Sequence, residues 1–289
     1  MHNSSLLKRF TQQEDINFLL TNRIPRRYAT LFMGKFSRIE NSLIRWLTLK
    51  AWKLFAEDLN LAEAKKTRFN SLHDCFIREL KEGVRPIEHD PEILVSPCDA
   101  IVGAHGKIDG TELIQAKGFP YTLMDLLADE KLVKKYRDGN YITLRLKSTM
   151  YHRFHAPQDC RVSELTYISG DTWNVNPIAL KRVERLFCKN ERAVIDIDLQ
   201  HPSASLTLVP VAAILVASMR FNFLDEVLDL KYKGPNKIAC DARYSKGDEM
   251  GYFHQGSTII VFTSKNIEIC ENISEGMVIR MGQALMQYR

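Results

Sequence analysis

The chain has 289 residues, of which 45% are hydrophobic and 26% charged, a composition typical of a soluble globular protein with one large domain or a domain plus a small appendage. The six cysteines are scattered and form no Cys-x-x-Cys pair, which argues against a disulfide framework or a zinc knuckle and favours a reducing, cytoplasmic setting. The first residues do not have the pattern of a secretory signal. The most apolar run, residues 206–219, is shorter than the roughly 20 residues that span a bilayer.

The net charge of +5 is unevenly distributed along the chain. Residues 1–56 contain ten Lys and Arg residues against three Asp and Glu residues, a balance of +7, so the remainder carries −2. Such asymmetry indicates an anionic partner for the N-terminal part, either nucleic acid or an acidic membrane surface.

The N-terminal part is predicted to be helical. Thr11 to Glu14 form a capping-box pattern, which predicts a short helix before Pro25. Apolar residues then recur at three- and four-residue steps among Lys and Arg, which predicts a basic amphipathic helix. The residues of this stripe are Tyr28, Leu31, Phe32, Phe36, Ile39, Leu43, Trp46 and Leu47.

Two interpretations of this helix are open. Amphipathic helices usually pack on their own domain, whereas an aromatic-rich stripe among basic residues favours a helix at a membrane interface. Nucleic-acid binding fits the charge alone, since no recognition helix, RNP motif or zinc finger accompanies it. We therefore expect an anionic membrane surface as the partner, and no nucleic acid.

The rest of the chain is predicted to be mainly β. Ser71 to Asp74 begin a helix that carries Phe76 and Leu80 and stops by Gly83. Short β-branched or aromatic runs follow, at residues 93–95, 100–104, 141–146, 161–168, 193–199, 205–217 and 258–262. Residues 119–137 and 178–186 have helical spacing, and residues 272–283 are similar to biotinyl and lipoyl barrels. The predicted fold is α+β, with a helical, membrane-associating region at 1–69 and a barrel- or sandwich-like catalytic domain at 70–289.

Three stretches contain the residue types of a nucleophile, a base and an orienting group. They are Gly256-Ser257-Thr258, Tyr151-His152-Arg153-Phe154-His155, and Ser96-Pro97-Cys98-Asp99. Each alone has an ordinary interpretation: Gly-Ser-Thr as a turn that enters a strand, and Asp99 as a turn residue. His152 and His155 could be metal ligands, but on a strand they face opposite sides with no nearby carboxylate, so no metal site is expected.

Together these stretches resemble the bacterial-type phosphatidylserine decarboxylases, a pyruvoyl-dependent family. The similarity also runs through residues 76–87, 115–118, 170–176 and 190–192, and covers residues 70–285. It implies self-cleavage between Gly256 and Ser257 into a long chain (1–256) and a short chain (257–289), with Ser257 converted to a covalent pyruvoyl group. It further implies decarboxylation of phosphatidylserine to phosphatidylethanolamine through a Schiff base.

The resemblance also implies roles for individual residues. Ser257 would attack the Gly256 carbonyl, His155 would take the hydroxyl proton, and Asp99 would orient the imidazole. His152 or His155 would return a proton after CO₂ leaves. The implied setting is the cytoplasmic face of the cell membrane, with a peripheral, homodimeric enzyme.

Three residues depart from the family pattern: Gln255 replaces leucine, Ala100 replaces glycine, and Met150 replaces an aspartate. Met150 is expected to matter most, because it removes a carboxylate beside the histidines. A non-catalytic membrane-associated protein is one alternative. A Ser-His-Asp hydrolase is another, although the chain has neither a G-x-S-x-G motif at Ser257 nor βαβ alternation.

Overall fold

Antiparallel β-sheets form most of the protein. A computed structural model describes residues 14–55, 59–116, 119–200, 204–215, 218–254 and 257–289. Within these ranges the strands form sheets of eight, four, three and two strands, and short helices lie around them. The predicted α+β, mainly β fold is confirmed.

The N-terminal region contains three helices in its described part. They are α1 (Glu14–Asn22), α2 (Arg26–Phe36) and α3 (Ser42–Phe55). The prediction of one continuous amphipathic helix was therefore wrong. The side chain of Asn41 accepts hydrogen bonds from the amides of Leu43 and Ile44, and this N-cap starts a new helix. Of the predicted capping box, residues 11–13 lie outside the described residues.

The remaining elements follow in chain order. The helices are α4 (Leu72–Phe76), α5 (Leu123–Leu127), α6 (Glu130–Tyr136), α7 (Pro177–Leu180) and α8 (Leu186–Lys189), and a 3-10 turn spans Leu61–Glu63. The strands are β1 (Ile93–Val95), β2 (Ala100–Lys107), β3 (Glu112–Ala116), β4 (Phe119–Thr122), β5 (Asn140–Leu146), β6 (Arg153–His155), β7 (Cys160–Ile168), β8 (Arg192–Leu199), β9 (Ser205–Ala212), β10 (Ser218–Phe221), β11 (Val227–Asp229), β12 (Lys237–Tyr244), β13 (Glu249–Phe253), β14 (Ser257–Thr263), β15 (Ile267–Ile269), β16 (Val278–Ile279) and β17 (Ala284–Tyr288).

Three helical predictions were wrong in extent. The helix that begins after Ser71 ends at Phe76, so it does not carry Leu80 or continue towards Gly83. Residues 119–137 begin as strand β4 and then form two short helices, because Ala128 adopts φ of 52° and ends α5. The Asp129 side chain then caps α6. Residues 178–186 likewise divide, since α7 ends at Leu180 and α8 begins at Leu186.

The eight-stranded sheet runs in the order β12-β7-β8-β9-β14-β5-β2-β16, so β14 lies near its middle. Side chains of β14 alternate between two apolar clusters, with Ile259 and Val261 in one and Ile260 and Phe262 in the other. A sheet that is buried on both faces gives continuous apolar runs instead of alternation. Because β14 is buried on both faces, its sequence is an unbroken apolar run, and this run could be recognised as a strand.

The four-stranded sheet brings the histidine segment beside the chain that leads to Ser257. Its order is β11-β10-β13-β6, and Arg153 of β6 pairs with Tyr252 of β13. The Phe253 amide donates to the carbonyl of His152 at 3.0 Å. The two motifs are therefore neighbours although they are far apart in sequence.

Candidate active site

Ser257 is the first residue of the central strand β14. It pairs with Leu146 on one side and Ala212 on the other. Its side chain is fully buried, and its Oγ has no hydrogen-bond partner among the described residues. An unsatisfied buried polar group costs about 1–3 kcal/mol, and such a group in a native protein calls for a functional explanation. Gly256, on the other side of the expected cleavage point, lies outside the described residues.

A cavity of about 660 Å³ adjoins Ser257, and we call it the serine cavity. Its lining is mainly apolar and comes from several regions of the chain, which include residues 145–149, 174–176 and 213–215. Met33 and Trp52 belong to α2 and α3, and Phe76 belongs to α4, while Leu146 ends β5. The cavity thus lies between the N-terminal helices and the end of the central sheet.

His152 lies behind Phe76, one of the residues that line this cavity. Its ring contacts the ring of Phe76, with 4.0 Å between centroids, and the residue is fully buried. Nδ1 lies 2.8 Å from the Met150 carbonyl, and because a carbonyl only accepts, Nδ1 carries the proton. Nε2 is buried without a partner in the described chain. Burial lowers the pKa of His152 to about 3, so the imidazole is neutral.

The Met150 departure leaves the orientation of His152 intact. The group that orients His152 is the main-chain carbonyl of residue 150, which any side chain there would supply. The thioether of Met150 accepts from the Lys147 amide at 3.4 Å and so closes the turn that precedes the histidines.

His155 lies in a different environment. Its Nδ1 donates to the Gly247 carbonyl at 2.8 Å, and the Tyr151 hydroxyl donates to its Nε2 at 3.0 Å. Burial raises the pKa of Tyr151, which keeps this hydroxyl protonated, and burial lowers the pKa of His155. His155 lines a second cavity, of about 400 Å³, together with Tyr151 and Glu249.

Asp99 contacts an arginine in this structure. Its carboxylate binds Arg85 in a bidentate manner, at 2.9 Å from Nε and 2.6 Å from Nη2, and accepts from the Met281 amide at 2.9 Å. Arg85 also binds Glu63 at 2.8 Å. The expected hydrogen bond from His155 to Asp99 is not formed, because both ring nitrogens have other partners. Ser257 thus lies at the serine cavity and His152 lies behind Phe76, which lines that cavity, while His155 lies at the second cavity, whose lining includes the Asp99 partners Arg85 and Met281.

Comparison with known proteins identifies the family. The model of the family described as "Phosphatidylserine decarboxylase" matches residues 72–287. The chain belongs to this family. It is 32% identical to the phosphatidylserine decarboxylase proenzyme of Haemophilus influenzae, over 91% of this chain and 92% of that protein. It is 33% identical to the proenzymes of Vibrio parahaemolyticus, over 90% and 94%, and of Brevibacillus brevis, over 92% and 95%. Family membership makes the protein a carboxy-lyase.

Asn190 explains why two of the segments shared with the family belong together. Its Nδ2 donates to the carbonyls of Trp173 and Ala212 at 2.8 Å each, and its Oδ1 accepts from the Trp173 amide at 2.7 Å. Ala212 is the residue that pairs with Ser257. Gly170 permits this approach, since a Cβ there would lie 2.5 Å from the Lys189 carbonyl oxygen. The segments at 170–176 and 190–192 therefore hold the strand that flanks Ser257.

The sequence interpretation missed a histidine pair next to the cleavage motif. His254 Nδ1 lies 3.2 Å from both His73 Nε2 and Arg38 Nη2, and the two imidazoles stack with 4.8 Å between centroids. Burial is the main cause that lowers the pKa of His254 to about 3 and of His73 to about 4. The sequence signal that could have revealed this pair was the position of His254, two residues before Gly256. The pair connects the α2–α3 linker to the chain before Ser257.

We predict that replacing His152 by Gln reduces the acid sensitivity of the fold. The pKa of His152 is about 3 in the folded protein and about 6.5 in an unfolded chain. As the pH falls through this window the unfolded chain binds a proton that the folded protein does not, so stability is lost. From pH 7 to pH 5 this loss is about 2 kcal/mol at His152, measurable from unfolding curves at both pH values.

Comparing the pH dependence of stability between wild type and His152→Gln cancels the contributions of the other titrating groups. Glu191, whose pKa burial raises to about 8, acts in the opposite direction, but equally in wild type and variant. The exposed His89, changed to Gln, serves as the control and should leave the pH dependence unchanged. Identical pH dependence in wild type and His152→Gln would contradict a neutral, buried His152.

Proposed function

We propose that this protein decarboxylates phosphatidylserine to phosphatidylethanolamine, with a pyruvoyl group that it makes from its own Ser257. The observation that carries the proposal is the buried, unpartnered hydroxyl of Ser257 beside an apolar cavity that the N-terminal helices help to form. The relatives named as phosphatidylserine decarboxylase proenzymes support the substrate and the precursor form. A hydroxyl without a competing hydrogen bond suits a residue that is to be converted chemically.

The cleavage chemistry follows from the position of Ser257. Its Oγ attacks the carbonyl carbon of Gly256, where a glycine offers no Cβ to block the approach. The amide nitrogen leaves and an ester forms between the two residues. Loss of the α-hydrogen of residue 257 then expels the Gly256 carboxylate and leaves dehydroalanine. Water releases ammonia from this residue, which yields a ketone at the new N-terminus. Strands β5 and β9 hold residue 257 on both sides during these steps.

The protein residues divide the proton transfers between them. His155 is proposed as the base for the Ser257 hydroxyl, and this requires that Tyr151 first release the lone pair of Nε2 and that the imidazole reach Ser257 from the second cavity, which it lines. Asp99 supports it through the buried ion pair with Arg85 that borders the same cavity. His152, whose ring contacts Phe76 of the serine cavity, is proposed to take up a proton at its free Nε2 and return it to the substrate carbon. The pyruvoyl ketone supplies the sink for the electrons left when CO₂ departs.

The N-terminal helices are proposed to lie on the cytoplasmic face of the membrane, as a peripheral attachment. Two of their polar residues contact the domain: Thr30 is buried and accepts from the Leu215 amide at 2.9 Å, and Arg26 forms an ion pair with Asp171. Some of their apolar residues, Met33 and Trp52, line the serine cavity, whereas others face outward, with Phe32 67% and Leu43 63% exposed. This arrangement suits a helix that rests on lipid. None of the helices in the described ranges is long and apolar enough to cross a membrane.

The two interpretations of these helices, packing on the domain and lying at a membrane interface, thus both contribute to the proposal. One side of the helices packs on the domain and the other is available to lipid. A lipid held by this surface would have its headgroup near the serine cavity, since α2 and α3 also line it. The homodimer implied by the resemblance stays a prediction that light scattering of the purified protein can check.

Ser257→Ala should remain a single chain of about 33 kDa, the mass of the intact precursor, because it removes the nucleophile. Wild type should give two chains, the short one starting with a blocked residue 257. Intact mass spectrometry checks both. An uncut, unmodified wild type that still releases CO₂ from phosphatidylserine would refute the pyruvoyl mechanism, and an uncut wild type without activity would favour the non-catalytic alternative.

His155→Ala and Asp99→Asn should both slow self-cleavage, measured as the fraction of cut chain against time. Neutralising the carboxylate of related triads costs on the order of 10⁴ in rate. His152→Ala should be cleaved at least in part and decarboxylate poorly. Melting temperatures of the three variants separate lost folding from lost chemistry, since Asp99→Asn also breaks a buried ion pair. Equal loss of cleavage in both histidine variants would contradict the assigned roles.

Phe32→Glu with Leu43→Glu should weaken binding to anionic vesicles while self-cleavage continues. Apolar insertion contributes about 25 cal/mol per Å² buried, and each Lys or Arg near the surface about 1 kcal/mol that falls as salt rises. Co-sedimentation at low and high salt measures the two contributions. The control is Met124→Glu with Val278→Glu, which alters exposed apolar residues outside the N-terminal helices. Equal sedimentation of both double variants would rule out the helices as the membrane surface.

A further inference from the structure

Arg145 is a half-buried cation beside the serine cavity whose charge the protein does not match. It is the penultimate residue of β5 and lines this cavity. Within the described parts of the chain its guanidinium makes no hydrogen bond, ion pair or ring contact. Burial lowers its pKa, yet a guanidinium remains protonated in proteins. The side chain therefore carries a full positive charge into a partly desolvated place.

Other buried arginines of the protein donate hydrogen bonds within the described chain, although the Nε of Arg78 has no partner there. Arg78 donates to the Thr149 carbonyl at 2.8 Å, and Arg192 donates to the Leu126 carbonyl at 2.8 Å. Arg85 forms its buried ion pair with Asp99. Because a buried charge is costly unless it is paired, the contrast indicates that the partner of Arg145 comes from outside the chain.

A second unpartnered group lies next to Arg145. Thr258 is directly opposite Arg145 in the β5–β14 register, and its buried Oγ1 has no hydrogen-bond partner in the described chain. Directly opposed residues of an antiparallel pair have their side chains on one face, with Cβ atoms roughly 4.5–5.5 Å apart. Thr258 is fully buried and does not itself line the serine cavity, so Arg145 is the group of this pair that a ligand in the cavity can reach. A guanidinium without a partner points to a ligand with an anionic, oxygen-rich group.

We propose that Arg145 binds the phosphodiester of the lipid headgroup during the reaction. The inference rests on the proposed function. The substrate has two anionic groups, but its carboxylate becomes neutral CO₂, so an ion pair to it would stabilise the ground state more than the transition state. The phosphodiester keeps its charge throughout, and only two bonded atoms separate its phosphorus from the reacting carbon. Arg145 pairs across the β5–β14 ladder with the residue after Ser257. It therefore lies near the residue that would bind the substrate, where the phosphodiester is expected.

Direct binding of two short-chain lipids tests the proposal. The probes are dihexanoylphosphatidylethanolamine, which has the phosphodiester but no carboxylate, and dihexanoylglycerol, which has neither. Arg145→Gln should weaken binding of the first at least about tenfold and leave the second unchanged, because it removes charged hydrogen bonds. Arg145→Lys should fall between, since it keeps the charge but loses the two-pronged geometry. Arg137→Gln, an exposed charge outside the cavity, should change neither affinity.

Kinetics with dihexanoylphosphatidylserine provide the second readout. Arg145→Gln should self-cleave normally and show a raised KM with kcat little changed, because the contact is the same in ground and transition states. A raised KM with unchanged phosphatidylethanolamine affinity would assign Arg145 to the carboxylate and overturn the proposal, as would unchanged affinity and KM. If the lipid binds through Arg145 while wild type releases no CO₂, the proposed function fails and the phosphate site stands.

Discussion

The hydrogen-bond ladder on both sides of β14 is the constraint on which the site depends. Ser257 is paired with Leu146 and Ala212, and Asn190 in turn holds Ala212. Residue 257 therefore occupies the end of a rigid central strand, where its main chain cannot shift without breaking pairing on two sides. Such fixation suits the proposed conversion of residue 257, which would be nucleophile first and reactive carbonyl afterwards. It also explains why segments far apart in sequence, at 170–176 and 190–192, share a role.

Several of the groups that the fold leaves unmatched lie near this strand end. Ser257 Oγ and Thr258 Oγ1 are buried without partners, and Arg145 lacks a counter-ion among the described residues. Other unpartnered buried atoms, such as Tyr121 Oη and Glu191 Oε2, lie elsewhere, whereas Asp99, Arg85 and Glu63 form a paired network. A fold tolerates several unsatisfied groups in one place when a ligand or a chemical conversion completes them. The unmatched groups at the strand end therefore fit the proposed reaction site.

The N-terminal helices connect this site to the surface. Their polar contacts, such as Arg26 with Asp171, fasten them to the loop that precedes α7, and several of their aromatic and aliphatic side chains, such as Phe32 and Leu43, are exposed. Arg38, between α2 and α3, reaches His254, which lies three residues before Ser257. The same short region thus contacts the β-rich part of the chain at the Asp171 loop and at His254, and lines the serine cavity. The proposed attachment to lipid would consequently be coupled by geometry to access to Ser257.

The sequence by itself determined the family, the mainly β fold and the residues Asp99, His152, His155 and Ser257 as candidates. Strands such as Ile93–Val95 and the β14 run were readable because burial on both faces requires unbroken apolar segments. Local signals could not decide what depends on distant neighbours. The break at Asn41 and the left-handed Ala128 divided helices whose spacing looked continuous. Only the tertiary structure paired Asp99 with Arg85, separated His155 from the serine cavity and left Arg145 unmatched, because contacts between residues far apart in sequence arise only once the sheet assembles.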